Sequence, residues 1–153
     1  MKVQFIGAIG LITRDRIGGR RLFTEDLALP LKHLKGTDFV FSEKLPGSRY
    51  FGVWPLSEAA QTCLGRKHWP RNRIVPQAFV EFEVANPGQV VAAARELRSK
   101  GISLLHDARK DPWGQTVVRF QTEDGLIVGI SYVPWMHARP RSRVRRRRSA
   151  RRR

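Results

Sequence analysis

The residues of this chain most able to hold a metal or move a proton are four histidines, His33, His68, His106 and His137, and one cysteine, Cys63. The histidines fall on four different segments with no i, i+4 pair, and nothing around Cys63 supplies the Cys/His spacing of a structural zinc site. A lone cysteine forms no internal disulfide, and Cys63 reads as a small, partly buried apolar side chain. Catalytic groups meet in space rather than in sequence, so an acid/base or metal site assembled from the histidines stays open, although exposed or hydrogen-bonded histidines are the commoner case. The chain carries no nucleophile elbow, phosphate loop or dinucleotide fingerprint. Sequence alone therefore nominates no catalytic residue.

The elements that position side chains are easiest to read in the second half. Residues 77–84 alternate, with Ala78, Val80, Phe82 and Val84 on one face and Gln77, Phe79, Glu81 and Glu83 on the other, as a strand with two different faces does. Asn86 then caps a helix with Pro87 in its first turn, and Val90, Val91, Ala94 and Leu97 form an apolar stripe ending near Lys100-Gly101. That helix should lie on the Val80/Phe82 face. Residues 102–105 read as a short strand, Asp111-Pro112-Trp113-Gly114 as a turn, and residues 115–121 and 126–133 as a hairpin about Asp124-Gly125. The first half repeats the order: a strand over 3–13, a helix after Asp15 with Leu22, Phe23, Leu27 and Leu29 on one side, and strands over 31–34, 38–42 and 49–54. Ser57 is placed to cap a connecting helix over 58–64. The division is a first module over 1–64, a polar linker over 65–76, a second module over 77–137 and an arginine-rich tail over 138–153. Two such units bury a core together, each being small for independent stability.

The net charge of +16 is concentrated in that tail. Ten of the 29 basic residues are arginines at or after Arg139, and the body carries the other 19 with all 13 acidic residues, a net +6. With almost nothing apolar to bury, residues 139–153 should be disordered, and they could bind phosphate backbones without sequence preference; a solvated extension of no selected role is the alternative. No segment approaches the roughly 18–20 apolar residues of a membrane span, and the N-terminus is weak as a signal peptide, so the expected location is cytoplasmic.

Several stretches resemble the glyoxalase/bleomycin-resistance/extradiol-dioxygenase superfamily, also called vicinal oxygen chelate proteins. They are Arg20-Arg21-Leu22-Phe23-Thr24-Glu25-Asp26-Leu27-Ala28-Leu29-Pro30, the Phe82-Glu83-Val84 strand with the helix to Gly101, and the closing hairpin from Asp111-Pro112-Trp113-Gly114-Gln115 through Asp124-Gly125. The resemblance spans nearly all of residues 1–137. It implies an α+β fold of two paired βαβββ modules whose curved mixed sheets surround a cleft, commonly with a second subunit alongside. In the superfamily's metalloenzymes, ligands come from the first and last strands of each module. The matching positions here are Ala8, Phe79, Gly129 and a site near Gly52 to Trp54, none of which offers an imidazole or carboxylate, so the expected cofactor is none.

Without those ligands the implied cleft is apolar. Phe79 and Gly129 would give it an aromatic wall and an open space, with Glu81 on the same face. Val118 and Phe120 suit packing under the helix, which leaves Arg119 to point into the cleft, and Trp54 and Trp113 stand at its rim. The candidate ligand-binding residues are thus Trp54, Phe79, Glu81, Trp113 and Arg119, suited to an aromatic or anionic small molecule held by stacking, with Arg119 or Glu81 fixing a charged end. Two bland alternatives stand beside this: Trp113 packs structurally in its turn, and Glu81 and Arg119 pair with each other across strands. The leading expectation is a metal-independent, sequestering small-molecule-binding protein, in a homodimer. The alternatives are a lyase, isomerase or dioxygenase with a relocated metal, and nucleic-acid binding through the tail.

Overall fold

A computed structural model describes residues 1–138; the arginine-rich stretch 139–153, and with it the expectations of disorder and of nucleic-acid binding, lies outside the described residues. Eight strands form one continuous sheet that curves without closing. In chain order they are β1 (Phe5–Thr13), β2 (Lys32–His33), β3 (Val40–Ser42), β4 (Phe51–Pro55), β5 (Ala78–Glu83), β6 (Leu104–Lys110), β7 (Thr116–Gln121) and β8 (Ile127–Tyr132). They lie in the order β2-β3-β4-β1-β5-β8-β7-β6. The two halves repeat one plan, since β1 runs parallel to β4 and β5 parallel to β8, while the antiparallel pair β1–β5 joins the halves at the centre. This is the α+β fold of paired βαβββ modules, realised as a single sheet.

The second half forms as its periodicity dictates. In β5 the buried positions are Phe79, Glu81 and Glu83, so these side chains share the concave face. The opposite face meets helix α3 (Pro87–Ser99), numbered after α1 (Gly18–Arg21) and α2 (Leu56–Leu64). The Asn86 side chain accepts from the Gln89 N–H at 3.0 Å, and Pro87 costs nothing in a first turn whose N–H groups lack helical partners. Val90, Ala93, Ala94 and Leu97 are buried against Val118 and Ile130, with Phe82 and Phe120 packed alongside. Burial of this kind is worth about 1.5–3 kcal/mol for each large aliphatic side chain. Gly101, at φ +76°, ends the helix in the left-handed conformation that glycine adopts without strain.

The first half departs from expectation at its helix. α1 has only four residues and runs into a π-helical turn (Leu22–Asp26) in which the Leu27 N–H reaches back to the Leu22 carbonyl. That wider turn breaks the 3.6-residue stripe, leaving Leu22 and Leu27 exposed while the Phe23 ring meets Phe51 edge-on, 6.4 Å between centroids. α2 begins one residue before Ser57, after Pro55, with no side-chain cap. β6 continues to Lys110 although residues 106–110 show no apolar alternation, as an edge strand with two register shifts. The stretch 65–76 is not wholly polar: Trp69 is buried, its indole N–H donating to the Ile74 carbonyl at 3.0 Å. A fourth helix, α4 (Pro134–His137), follows β8. It is held by Glu83, which is fully buried and accepts from the Val133 N–H at 2.7 Å, faces His137 Nε2 at 2.9 Å, and also accepts from the Ser131 hydroxyl. Among the described residues no helix is long and apolar enough to cross a membrane.

Candidate functional site

One row of cross-strand partners sets the floor of the concave face. Ala8 pairs with Glu81, Glu81 with Gly129, Gly129 with Arg119, and Arg119 with His106. Residues opposite one another across a sheet project to the same side. Glu81 and Arg119 stand two strands apart, which is about 10 Å at the usual strand spacing. They meet because the residue between them has no side chain: a Cβ at Gly129 would lie 2.9 Å from Glu81 Cγ. Gly129 therefore does not leave an open space. Glu81 lies across it.

The turn between β6 and β7 completes the floor. The Asp111 N–H donates to the Gln115 carbonyl at 2.7 Å, the Gly114 N–H to the Asp111 carbonyl at 2.9 Å, and Gly114 takes φ +91°. The turn thereby aims two buried side chains at Arg119. Arg119 Nε and Nη2 donate to Glu81 Oε1 at 3.1 and 2.9 Å, Nη1 donates to Asp111 Oδ2 at 3.0 Å, and Nη2 reaches Gln115 Oε1 at 3.4 Å. The second Nη1 hydrogen faces His106 Nε2 at 3.4 Å, so all five guanidinium N–H groups have an acceptor. Gln115 in turn donates to Glu81 Oε2 at 2.5 Å and accepts the Trp113 indole N–H at 2.8 Å.

Arg119 is 2% exposed. Burial works to lower its pKa, but Glu81, followed by Cys63 and Asp111, raises it above the ordinary arginine value. In the structure Arg119 pairs with Glu81 across the strands, and each of its N–H groups already has an acceptor. The Trp113 N–H is tied into the turn, and the residue is 51% exposed.

Above this floor lies a cavity of about 440 Å3, within the range of small-molecule sites, and all five sequence-nominated residues (Trp54, Phe79, Glu81, Trp113 and Arg119) line it. One wall consists of Phe39, Phe41 and Tyr50, whose rings lie within 17° of parallel at centroid separations of 5.0 to 6.2 Å. Trp54 stands at 77° to Phe39 and to Phe79, closing a corner. Burial, with the Glu81 and Glu43 charges adding, holds the Tyr50 phenol well above its ordinary range, so its hydroxyl stays protonated. Val133, Trp135 and Met136, in and beside α4, line the cavity from the second half. Sequence reasoning missed Asp111, Gln115, the Phe39/Phe41/Tyr50 wall and α4. A signal existed for two of these, because Phe39 and Phe41 alternate, and Gln115 shares a strand face with Val117 and Arg119.

The positions where the resemblance looks for metal ligands do not fit a divalent ion. Ala8 and Phe79 line the cavity without a donor, and Gly129 lies under Glu81. At the fourth, Gly52 lies under the Phe39 ring and Trp54 offers an indole face. The Glu81 carboxylate is already engaged by Arg119 and Gln115. The histidines do not assemble: His33 and His68 are exposed, His137 faces Glu83 and His106 faces Arg119. Among the described residues no three of His, Cys, Asp and Glu are grouped to hold a metal ion. Cys63 is buried, and burial pushes its thiol up to about 11.

His106 gives the floor a pH dependence. Its Nδ1 lies 2.7 Å from the Asp107 carbonyl, the geometry of a neutral ring with its proton on Nδ1 and Nε2 open towards Arg119. Burial pushes its pKa down to about 4, the Arg119 and Arg109 charges adding to the effect. An unfolded histidine takes up its proton near pH 6.5, so between about 6.5 and 4 the unfolded state binds more protons and stability falls as pH falls. Above pH 6.5 His106 contributes no slope. His106→Gln should remove that component, read as a smaller loss of urea midpoint between pH 7 and pH 4.5 than in the parent chain; equal losses would mean that His106 is solvated.

No protein-family model and no curated protein matches the sequence. Solved structures do match in shape. A variant of Streptomyces coelicolor methylmalonyl-CoA epimerase in complex with 2-nitronate-propionyl-CoA is similar over 90% of this chain and 100% of its own, with TM-score 0.56 and 15% identity. A glyoxalase/bleomycin resistance protein/dioxygenase superfamily member from Vibrio splendidus matches over 82% of this chain and 97% of its own, with TM-score 0.52 and 14% identity. An NAD-dependent benzaldehyde dehydrogenase from Legionella pneumophila matches over the same shares, with TM-score 0.55 and 13% identity. Identities this low carry the fold and no activity. The repeated strand order, the central β1–β5 pairing and these likenesses together give the chain the fold of the glyoxalase/bleomycin-resistance/dioxygenase (vicinal oxygen chelate) superfamily.

Proposed function

We propose that the protein binds a flat, aromatic small molecule in the cavity between its two halves, and that it does so without a metal ion. The observation that carries this reading is the pairing of an aromatic-walled cavity of about 440 Å3 with a floor whose charged groups are already satisfied by one another. Stacking and water exclusion are what such walls supply, and each well-placed aromatic contact adds about 0.5–1.5 kcal/mol beyond its area. On the floor, Glu81, Arg119 and Asp111 are committed to one another, which supports sequestration as the reading. Metal independence rests on Ala8, Phe79 and Gly129, which bring no donor to the positions where related folds place theirs.

The test is a fluorescence titration of the full-length chain with N-phenyl-1-naphthylamine, a neutral aromatic probe that brightens in dry surroundings. Saturable binding to one site is expected. Trp135→Ala at the half-exposed rim should weaken it about tenfold, as truncating an interfacial aromatic anchor does. A probe that never saturates, or that binds the Trp135 variant as well as the parent, would overturn the assignment of this cavity.

A further inference from the structure

The charges on the cavity lining are unequal. Arg119 is its one cationic residue among the described residues, against three carboxylates: Glu43, Glu58 and Glu81. Arg119 is spent on Glu81 and Asp111, and Glu43 is paired with Lys32 at 3.3 Å. Glu58 differs from both. It stands in the first turn of α2, and its Oε1 accepts the Asp38 N–H at 2.6 Å, which fixes the carboxylate across a tight backbone contact. No cation lies within 4 Å of it among the described residues; Arg16, the cation whose charge it influences, is bound to Asp38 instead. Glu58 therefore presents an oriented, half-buried negative charge, without an ion-pair partner among the described residues, at a cavity whose walls are aromatic faces.

Those two features select the same ligand chemistry. The faces of Phe, Tyr and Trp rings attract cations through their quadrupoles, more strongly as water is excluded. A carboxylate in partly desolvated surroundings does the same and repels anions. Arg119 already lies over the Trp54 ring, 5.6 Å from its centroid, so these walls hold a cation in the structure itself. Resting on the reading that the cavity binds a flat aromatic molecule, we propose that its ligand carries a positive charge, an aromatic ammonium or protonated heteroaromatic, with Glu58 as counter-ion and the Phe39/Phe41/Tyr50 wall as stacking surface. Glu58 is then the residue that determines charge specificity, and aromatic carboxylates are excluded.

A charge ladder on one ring system tests this: 2-naphthylmethylammonium, 2-naphthol and 2-naphthoate, titrated by calorimetry into the full-length parent chain and into Glu58→Gln, which keeps an oxygen for the Asp38 N–H. The ammonium should bind the parent about tenfold more tightly than the naphthol, the step that about 1.4 kcal/mol represents, and the naphthoate should bind least. In Glu58→Gln the ammonium should fall to within about threefold of the naphthol, and the preference in the parent should shrink as salt is raised. Naphthol and naphthoate binding as well as the ammonium would overturn the charge preference while leaving aromatic binding intact. A preference that survives in Glu58→Gln would remove Glu58 from the role. Failure of all three probes to bind would overturn the binding reading itself.

Discussion

Replacing Arg119 with alanine should cost about 3–5 kcal/mol of folding stability, the usual cost of removing one partner from a buried ion pair. The magnitude follows from what is stranded. Glu81 and Asp111 are 8% and 4% exposed, and both direct a carboxylate oxygen at the lost guanidinium. Domains of this size are stable by only about 5–15 kcal/mol, so the variant should be marginal at room temperature. Combining Arg119→Ala with Glu81→Gln and Asp111→Asn removes both stranded charges and should recover more than half of the loss. Urea unfolding of the three chains makes the comparison. A single variant within about 1 kcal/mol of the parent, the range of exposed ion pairs, would mean that water reaches the network and that the cavity floor is not dry.

Gly10→Ala should be nearly as damaging, by about 2–3 kcal/mol, because the added methyl meets backbone as well as side chain. A Cβ at Gly10 would lie 2.6 Å from Phe79 Cζ and closer still to the carbonyl oxygen of Gly52. Gly10 pairs with Gly52 on β4 and with Phe79 on β5, so relief requires moving either the β1–β4 ladder or the ring that forms one corner of the cavity. Both the urea midpoint and N-phenyl-1-naphthylamine affinity should fall together. Unchanged stability with normal probe binding would show that Phe79 swings aside freely and contributes no wall.

How much of this could be read from residues alone varies with the length of the repeating pattern. β5, α3 and the β7–β8 hairpin announce themselves through alternation, the Asn86-Pro87 start and the Asp124-Gly125 turn, and the faces assigned to Phe79, Glu81 and Arg119 follow from strand period alone. The helix after Asp15 does not, because one i+5 hydrogen bond at Leu27 rotates its apolar residues out of register. α4 has only four residues and lacks any period. The five nominated residues share a cavity because strand faces and strand ends set the side on which they project. What sequence could not give was the saturation of Arg119. That depends on Asp111 and Gln115 reaching it from either side of a tight turn and on Glu81 crossing a glycine, contacts set by three-dimensional register.

The absence of metal donors at Ala8, Phe79 and Gly129 leaves one measurement that bears most directly on metal-independent binding. The full-length chain is titrated with N-phenyl-1-naphthylamine in excess EDTA and again with manganese, iron, cobalt, nickel or zinc present, with bound metal counted by plasma mass spectrometry. The account requires the same affinity in every arm, within the roughly twofold scatter that about 0.4 kcal/mol represents, and no metal retained in proportion to protein. Binding that disappears in EDTA and returns with one metal at near one equivalent per chain would contradict it.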